Sequence, residues 1–237
     1  MEKPVLLNKE DGIAWLTLNR PARSNAITQD LLVHLYNYIE MASEDEEIRV
    51  LIITGQGKSF CSGIDLAVLE KDNIFDPRND GLDFPDIIAA CKKPVIGAVN
   101  GPAITGGLEL ALNLDFLIAS ENAFFADTHA RVGIHPGWGM SQLLQQAIGV
   151  RMAKQVSLTC QPIMAEQALR LGLVNEVVPQ DELLPRVKEI AMHILDGKPD
   201  MISLMMNLIE YRNKTTLDDA YSHERSGFRK FIYEFQK

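Results

Sequence analysis

A glutamate set among leucines is the residue of this chain that most needs a chemical explanation. Glu109 is flanked by Leu108, Leu110, Ala111, Leu112 and Leu114, so a helix here carries its carboxylate inward, where an unpartnered charge is costly. Two readings account for it: a structural Asn, Lys or Arg partner, or service as an acid/base whose proton affinity burial tunes. Gly106 stands three residues earlier, closing the turn that runs from Asn100, so Glu109 lies one helical turn beyond it and faces the same space. A similar glycine turn, from Gly55 through Gly63 to Leu66, follows the apolar run Val50-Leu51-Ile52-Ile53-Thr54. A glycine turn that enters a helix leaves backbone N–H groups unpaired. Two such turns can converge those groups on one oxygen, which is the construction of an oxyanion hole. The same glycines also simply permit left-handed turns, and spacing alone leaves both readings open.

Other chemistries fit these residues less well. Gly57-Lys58-Ser59 is like the end of a phosphate loop, but the position that loop reserves for its first glycine holds Ile52. No Gly-x-Ser-x-Gly elbow surrounds Ser59 or Ser62, so a hydrolase serine is unsupported. Cys61 reads as a small buried hydrophobe rather than a nucleophile. His129 and His135 with Asp127 can be drawn as a metal site, yet no pair has a recognised ligand spacing, and no metal is expected.

The elements that must position Glu109 follow from periodicity. Ile13 to Leu18 alternates and stops at Asn19-Arg20-Pro21, the pattern of a strand and turn. Leu32, Leu35, Tyr36 and Ile39 predict a helix with Thr28 as N-cap. Val50–Thr54, Pro94–Val99 and Phe116–Ala119 are apolar throughout, as strands covered on both faces are, which predicts an α/β layer structure. Helices are expected over Asp86–Lys92 and Gly107–Leu114, and a mobile loop over Asp72–Asp83. Helices are then expected over Met140–Ile148, Met152–Leu158 and Ala165–Leu171, followed by a strand over Asn175–Val178. Asp181–Leu195 and Pro199–Lys237 complete the chain as helices. The division is expected near Pro179: a core over 1–179 and a helical region over 180–237.

Composition bounds the partners. The 237 residues carry a net charge of -9, the wrong sign for wrapping nucleic acid. No run approaches a membrane span, and the N-terminus lacks the apolar stretch of a signal peptide. Three widely spaced cysteines argue against a disulfide framework. A soluble, cytoplasmic protein is expected.

Several ordered motifs resemble the enoyl-CoA hydratase/isomerase (crotonase) family, across nearly the whole chain. Asn19-Arg20-Pro21-Ala22-Arg23-Ser24-Asn25-Ala26 resembles its N-R-P-x-x-x-N-A segment, and Gly57 to Leu66 its G-x-x-F-x-x-G-x-D-L motif. Lys93 to Gly101 with Gly106-Gly107-Leu108-Glu109-Leu110 resembles K-P-V-I-A-A-V-N-G…G-G-x-E-L. Gly133 to Gly137 and Ala165 to Val174 match two later segments. The resemblance implies a spiral of ββα units whose C-terminal helices build homotrimers, usually paired into hexamers, and an acyl-CoA thioester as substrate, with no separate cofactor. It assigns the oxyanion-hole N–H groups to Ile64 and Gly106. The coenzyme A moiety would lie along Arg23, Asn25, Ala26 and the segment Ser62, Ile64, Asp65, Leu66, Ala67, with Arg23 and Lys58 as phosphate or adenine contacts. Hydratases of the family carry two glutamates; Glu109 matches the first, and the second falls on His129. Three alternatives remain: His129 replaces the acid as proton donor, in the ordinary titration range of histidine; Asp127 takes that role; or the site binds acyl-CoA without turnover or runs another enolate reaction, such as isomerisation or decarboxylation. Hydration of a trans-2-enoyl-CoA is the leading expectation.

Overall fold

A computed structural model describes residues 2–235. The strand Val5–Glu10 (β1) pairs antiparallel with Ile13–Leu18 (β2) across the tight turn Asp11-Gly12. Val50–Gly55 (β3), Val95–Val99 (β4), Phe116–Ser120 (β6) and Glu176–Val178 (β9) then add in parallel, giving a six-stranded sheet in the order β1-β2-β3-β4-β6-β9. Every residue of β3 and β4 is buried, as their unbroken apolar runs require. A second sheet of three short strands, Ala103–Ile104 (β5), Phe124–Ala126 (β7) and Ile163–Met164 (β8), packs in the order β5-β7-β8. These strands have two or three residues each, too few to show a period of two, and the sequence reading misses all three.

Helix α1 (Gln29–Glu44) begins at Thr28, whose hydroxyl accepts from the Leu31 N–H as expected of an N-cap. It buries Leu31, Leu32, Leu35, Tyr36 and Ile39. Helix α2 (Phe84–Ala90) opens on a reciprocal Asp83–Asp86 capping box. The stretch expected to be a mobile loop is tied down. Asp72 accepts from the Gln29 N–H, Gln29 Nε2 donates to Pro77 O, and Arg78 pairs with Glu40 and Asp80. Asn73 and Asp76 accept from backbone N–H groups and cap turns here while the loop faces solvent.

After α3 (Gly106–Leu112) come a short turn, α4 (His129–Val132), then α5 (Met140–Ile148), α6 (Val150–Thr159), α7 (Ala165–Leu171) and α8 (Leu183–Leu195). The chain divides into two compact units, 1–193 and 194–237, not at Pro179. Helix α8 belongs mainly to the first unit because it buries Leu183, Val187 and Ala191, while Arg186 and Lys188 pair with Glu176 and Glu10. The second unit holds two helices, α9 (Pro199–Lys214) and α10 (Leu217–Phe235), instead of one continuous run. Thr216 breaks it: its hydroxyl accepts from the Asp219 N–H and so starts a new helix.

Candidate active site

Two glycine turns are pressed together at the edge of α3. Gly63 has φ +91, and a side chain there would meet Ile104 O at 2.8 Å and the Gly106 N at 3.4 Å. Gly107 has Cys61 O within 2.1 Å of where a Cβ would stand. The first turn is carried by Ile27, whose N–H donates to Gly63 O and whose carbonyl accepts from the Asp65 N–H. Among the described residues, neither the Ile64 N–H nor the Gly106 N–H donates to a protein acceptor. Thr105 holds the second turn at φ +52, a backbone region unfavourable for a β-branched residue. Its N–H donates to Ala126 O, and its hydroxyl meets Thr128 Oγ1 and accepts from the Thr128 N–H.

Glu109 is buried on α3. The structural partner anticipated as Asn, Lys or Arg is absent from its carboxylate among the described residues: Asn113 Nδ2 donates to the Glu109 backbone carbonyl instead. One carboxylate oxygen, Oε1, accepts from the backbone N–H groups of Trp138 (2.9 Å) and Met140 (3.2 Å). Hydrogen bonds to a charged group contribute about 1.5–3 kcal/mol each, so the pair offsets much of the carboxylate's burial. The other oxygen, Oε2, stands 3.6 Å from Nε2 of His129. His129 Nδ1 in turn meets Asp127 Oδ1 at 2.7 Å, and the His129 backbone N–H donates to the same oxygen. All three side chains are buried. Burial by itself depresses the affinity of His129 for its proton. The hydrogen bond to Asp127 and the negative charges of Asp127 and Glu109 outweigh it, raising the pKa to about 9. Burial works to raise Asp127, but bonds from His129 and Ser157 hold its carboxyl below the usual range. Sequence reasoning missed Trp138, Met140 and Asn113 as the frame around Glu109; the Gly137-Trp138-Gly139 run, which frees backbone N–H groups, was the available signal.

The residues expected along coenzyme A gather in one strip, with different duties. Asn25 is buried at φ +56, and its side chain accepts from the Arg20 N–H and donates to Gln56 O and Ser59 O. These bonds brace the loop that carries it. Asp65 is likewise engaged by Arg20 at 3.1 Å and Arg23 at 3.4 Å. Burial raises its carboxyl, but the Arg20 bond, the Ala67 N–H and the charges of Arg23 and Arg20 together outweigh it, leaving it below the usual range. Ala26 is buried, Ser62 and Ile64 are half-buried, and Leu66, Ala67, Lys58 and Arg23 are exposed at the rim. Cys61 is fully buried, and burial, more than its backbone bond relieves, pushes the thiol up to about 12. That is an inert packing thiol. His135 is exposed and turned to Pro136 O, away from any shared site with His129. Among the described residues no three His, Cys, Asp or Glu side chains gather to hold a metal ion.

The fold and the cluster define a class: a spiral α/β protein with a buried acid–imidazole–acid group above two joined glycine turns. A family model for enoyl-CoA hydratase/isomerase matches residues 8–237. The chain is 42% identical over 228 residues to the probable enoyl-CoA hydratase 1, peroxisomal, of Arabidopsis thaliana, covering 94% of this chain and 85% of that relative. It is 40% identical to the crotonyl-CoA hydratase of Syntrophomonas wolfei, covering 94% and 88%. A crystal structure of an enoyl-CoA hydratase from Mycobacterium avium superposes with a TM-score of 0.81 at 39% identity, covering 98% of this chain and 99% of that one. The chain belongs to the enoyl-CoA hydratase/isomerase family.

Proposed function

We propose that this protein is an enoyl-CoA hydratase, adding water across the double bond of a trans-2-enoyl-CoA to give a 3-hydroxyacyl-CoA. The observation that carries the reading is the position of Glu109, buried and oriented by two N–H groups, within reach of His129 and one helical turn from Gly106. In this mechanism the Ile64 and Gly106 N–H groups hold the thioester oxygen. Glu109 orients a water molecule and takes its proton as the oxygen attacks C3. Charge moves through C2 to the thioester oxygen, which becomes an enolate held by the two donors. Removing one such donor costs about 10²–10³ in rate in other enzymes. His129, charged at neutral pH, delivers its Nε2 proton to C2. The reaction balances with no metal and no redox cofactor.

Coenzyme A lies along the strip of residues 23–26 and 62–67. Arg23 is the candidate phosphate contact, because its guanidinium is exposed while Asp65 steadies it. Exposed apolar side chains on α9, among them Met201, Leu204, Met205 and Ile209, support a homotrimer, with pairing of two trimers into a hexamer. The three free thiols support a reducing compartment, the cytoplasm; no helix among the described residues is long and apolar enough to cross a membrane.

The deciding assay adds crotonyl-CoA and follows the loss of absorbance of the conjugated thioester. A steady loss, with 3-hydroxybutyryl-CoA as product, is the expected result. Tight acyl-CoA binding with no loss across short and long enoyl chains would overturn the reading in favour of a non-catalytic binder.

A further inference from the structure

The site holds a carboxylate that hydration in the two-glutamate pattern does not use. Asp127 sits just after β7, and a single oxygen, Oδ1, takes both the His129 side-chain Nδ1–H (2.7 Å) and the His129 backbone N–H (3.1 Å). An imidazole has two freedoms, rotation of its ring and choice of tautomer. The Nδ1 hydrogen bond to this oxygen removes both, and the backbone bond fixes the oxygen's place: the ring cannot turn without losing the shorter bond, and Nδ1 carries a proton. Nε2 is thereby directed at Glu109 Oε2, 3.6 Å away. Asp127 is itself braced by Ser157 of α6. The neighbouring Thr128 is bonded to Thr105 of the glycine turn, so the clamp and the turn are one connected piece.

We propose that Asp127 is a positioning residue for the reaction, clamping His129 so that Nε2 serves both C2 of the substrate and Glu109, and so that one proton circulates between His129 and Glu109 without leaving the site. The inference rests on the hydratase reading. Water gives one proton to Glu109 and its oxygen to C3. The imidazolium gives its Nε2 proton to C2 and becomes neutral, with Nδ1–H still on Asp127. Glu109, now a carboxylic acid, returns its proton to Nε2, restoring carboxylate and imidazolium. The groups facing His129 are consistent with this cycle: Glu109 from α3 and Asp127 from the end of β7 are both acidic, while Arg131 on its own helix turns to Cys160 O.

The test compares wild type with Asp127→Asn and Asp127→Ala, using ¹⁵N-histidine NMR of His129 beside crotonyl-CoA kinetics. The His129 signal is identified by its loss in His129→Gln. Wild-type His129 is expected to stay charged to about pH 9, and in Asp127→Asn to titrate nearer about 6.5. In that variant kcat should fall at least about 10-fold, part of the worth of a general acid. The alkaline limb of kcat should move down with the NMR titration, while affinity for acyl-CoA and KM hold. Unchanged titration, or unchanged kcat and pH profile in a folded variant, overturns the proposal. Should neither variant fold, a wild-type His129 that titrates in the ordinary range overturns it alone. If wild type does not hydrate any enoyl-CoA while the Asp127-dependent titration is seen, the hydratase reading falls and the clamp stands.

Discussion

Nε2 of His129 faces Oε2 of Glu109 across 3.6 Å, although the two residues lie on different helices. The gap is somewhat longer than a direct hydrogen bond and short enough for strong electrostatic coupling at a buried site. The other oxygen of Glu109 is held by Trp138 and Met140 and the other nitrogen of His129 by Asp127. Both groups are thus anchored on their far sides and free on the sides that face each other.

Glu109→Gln keeps the shape of the side chain and can still accept from Trp138 and Met140, but it cannot take a proton at neutral pH. Hydration should fall by about 10²–10⁴, the usual worth of an acid/base. Isothermal titration with a saturated acyl-CoA should show binding retained. Turnover at the wild-type rate would make Glu109 a structural residue.

His129→Ala should cost a similar factor, about 10²–10⁴, and His129→Glu should recover much of it by restoring the two-glutamate arrangement. Initial rates with crotonyl-CoA measure both. A neutral His129→Ala would move the proton donor elsewhere, to Asp127 or water.

The pH profile differs from what a free histidine would give. Burial alone would lower the pKa, but Asp127 and Glu109 raise it from 6.5 to about 9, so activity should be kept through neutrality and decline only as pH passes about 9. Stability follows the same sign. The folded state binds the proton more tightly than the unfolded chain, so the contribution is complete below about 6.5 and lost as pH rises through about 9. Urea melts of wild type against His129→Gln across this window should converge at the alkaline end. Parallel curves would contradict it.

Gly107→Ala should destabilise the fold by about 1–3 kcal/mol, the range for forcing extra volume into packed structure, because the new methyl would stand 2.1 Å from Cys61 O. Denaturant unfolding reads the loss directly. A variant as stable as wild type would mean that the two turns can part.

Static light scattering at micromolar concentration should give the mass of a trimer or hexamer. A monomer would leave the apolar face of α9 without the proposed role.

Much of the frame could be read locally. The unbroken apolar runs of β3 and β4, the Thr28 cap and the inward direction of Glu109 depend on neighbours within a few positions, where periodicity and capping act. The ordered motifs carried the family as well, and the fold brings the two glycine turns together at Gly63 and Gly106. Asn25 shows where that kind of reading stops: no motif announces that its amide donates to Gln56 and Ser59, more than thirty residues away. The partners of Glu109 at Trp138 and Met140 are similarly remote in sequence; the Gly137-Trp138-Gly139 run frees N–H groups but does not say which carboxylate they meet. His129 makes the same point in energetic terms. Its residue type set a proton affinity near neutral pH, but only the folding that buries it between Asp127 and Glu109 raises that affinity, because the hydrogen bond to Asp127 and the charges of the two carboxylates together outweigh the cost of removing water.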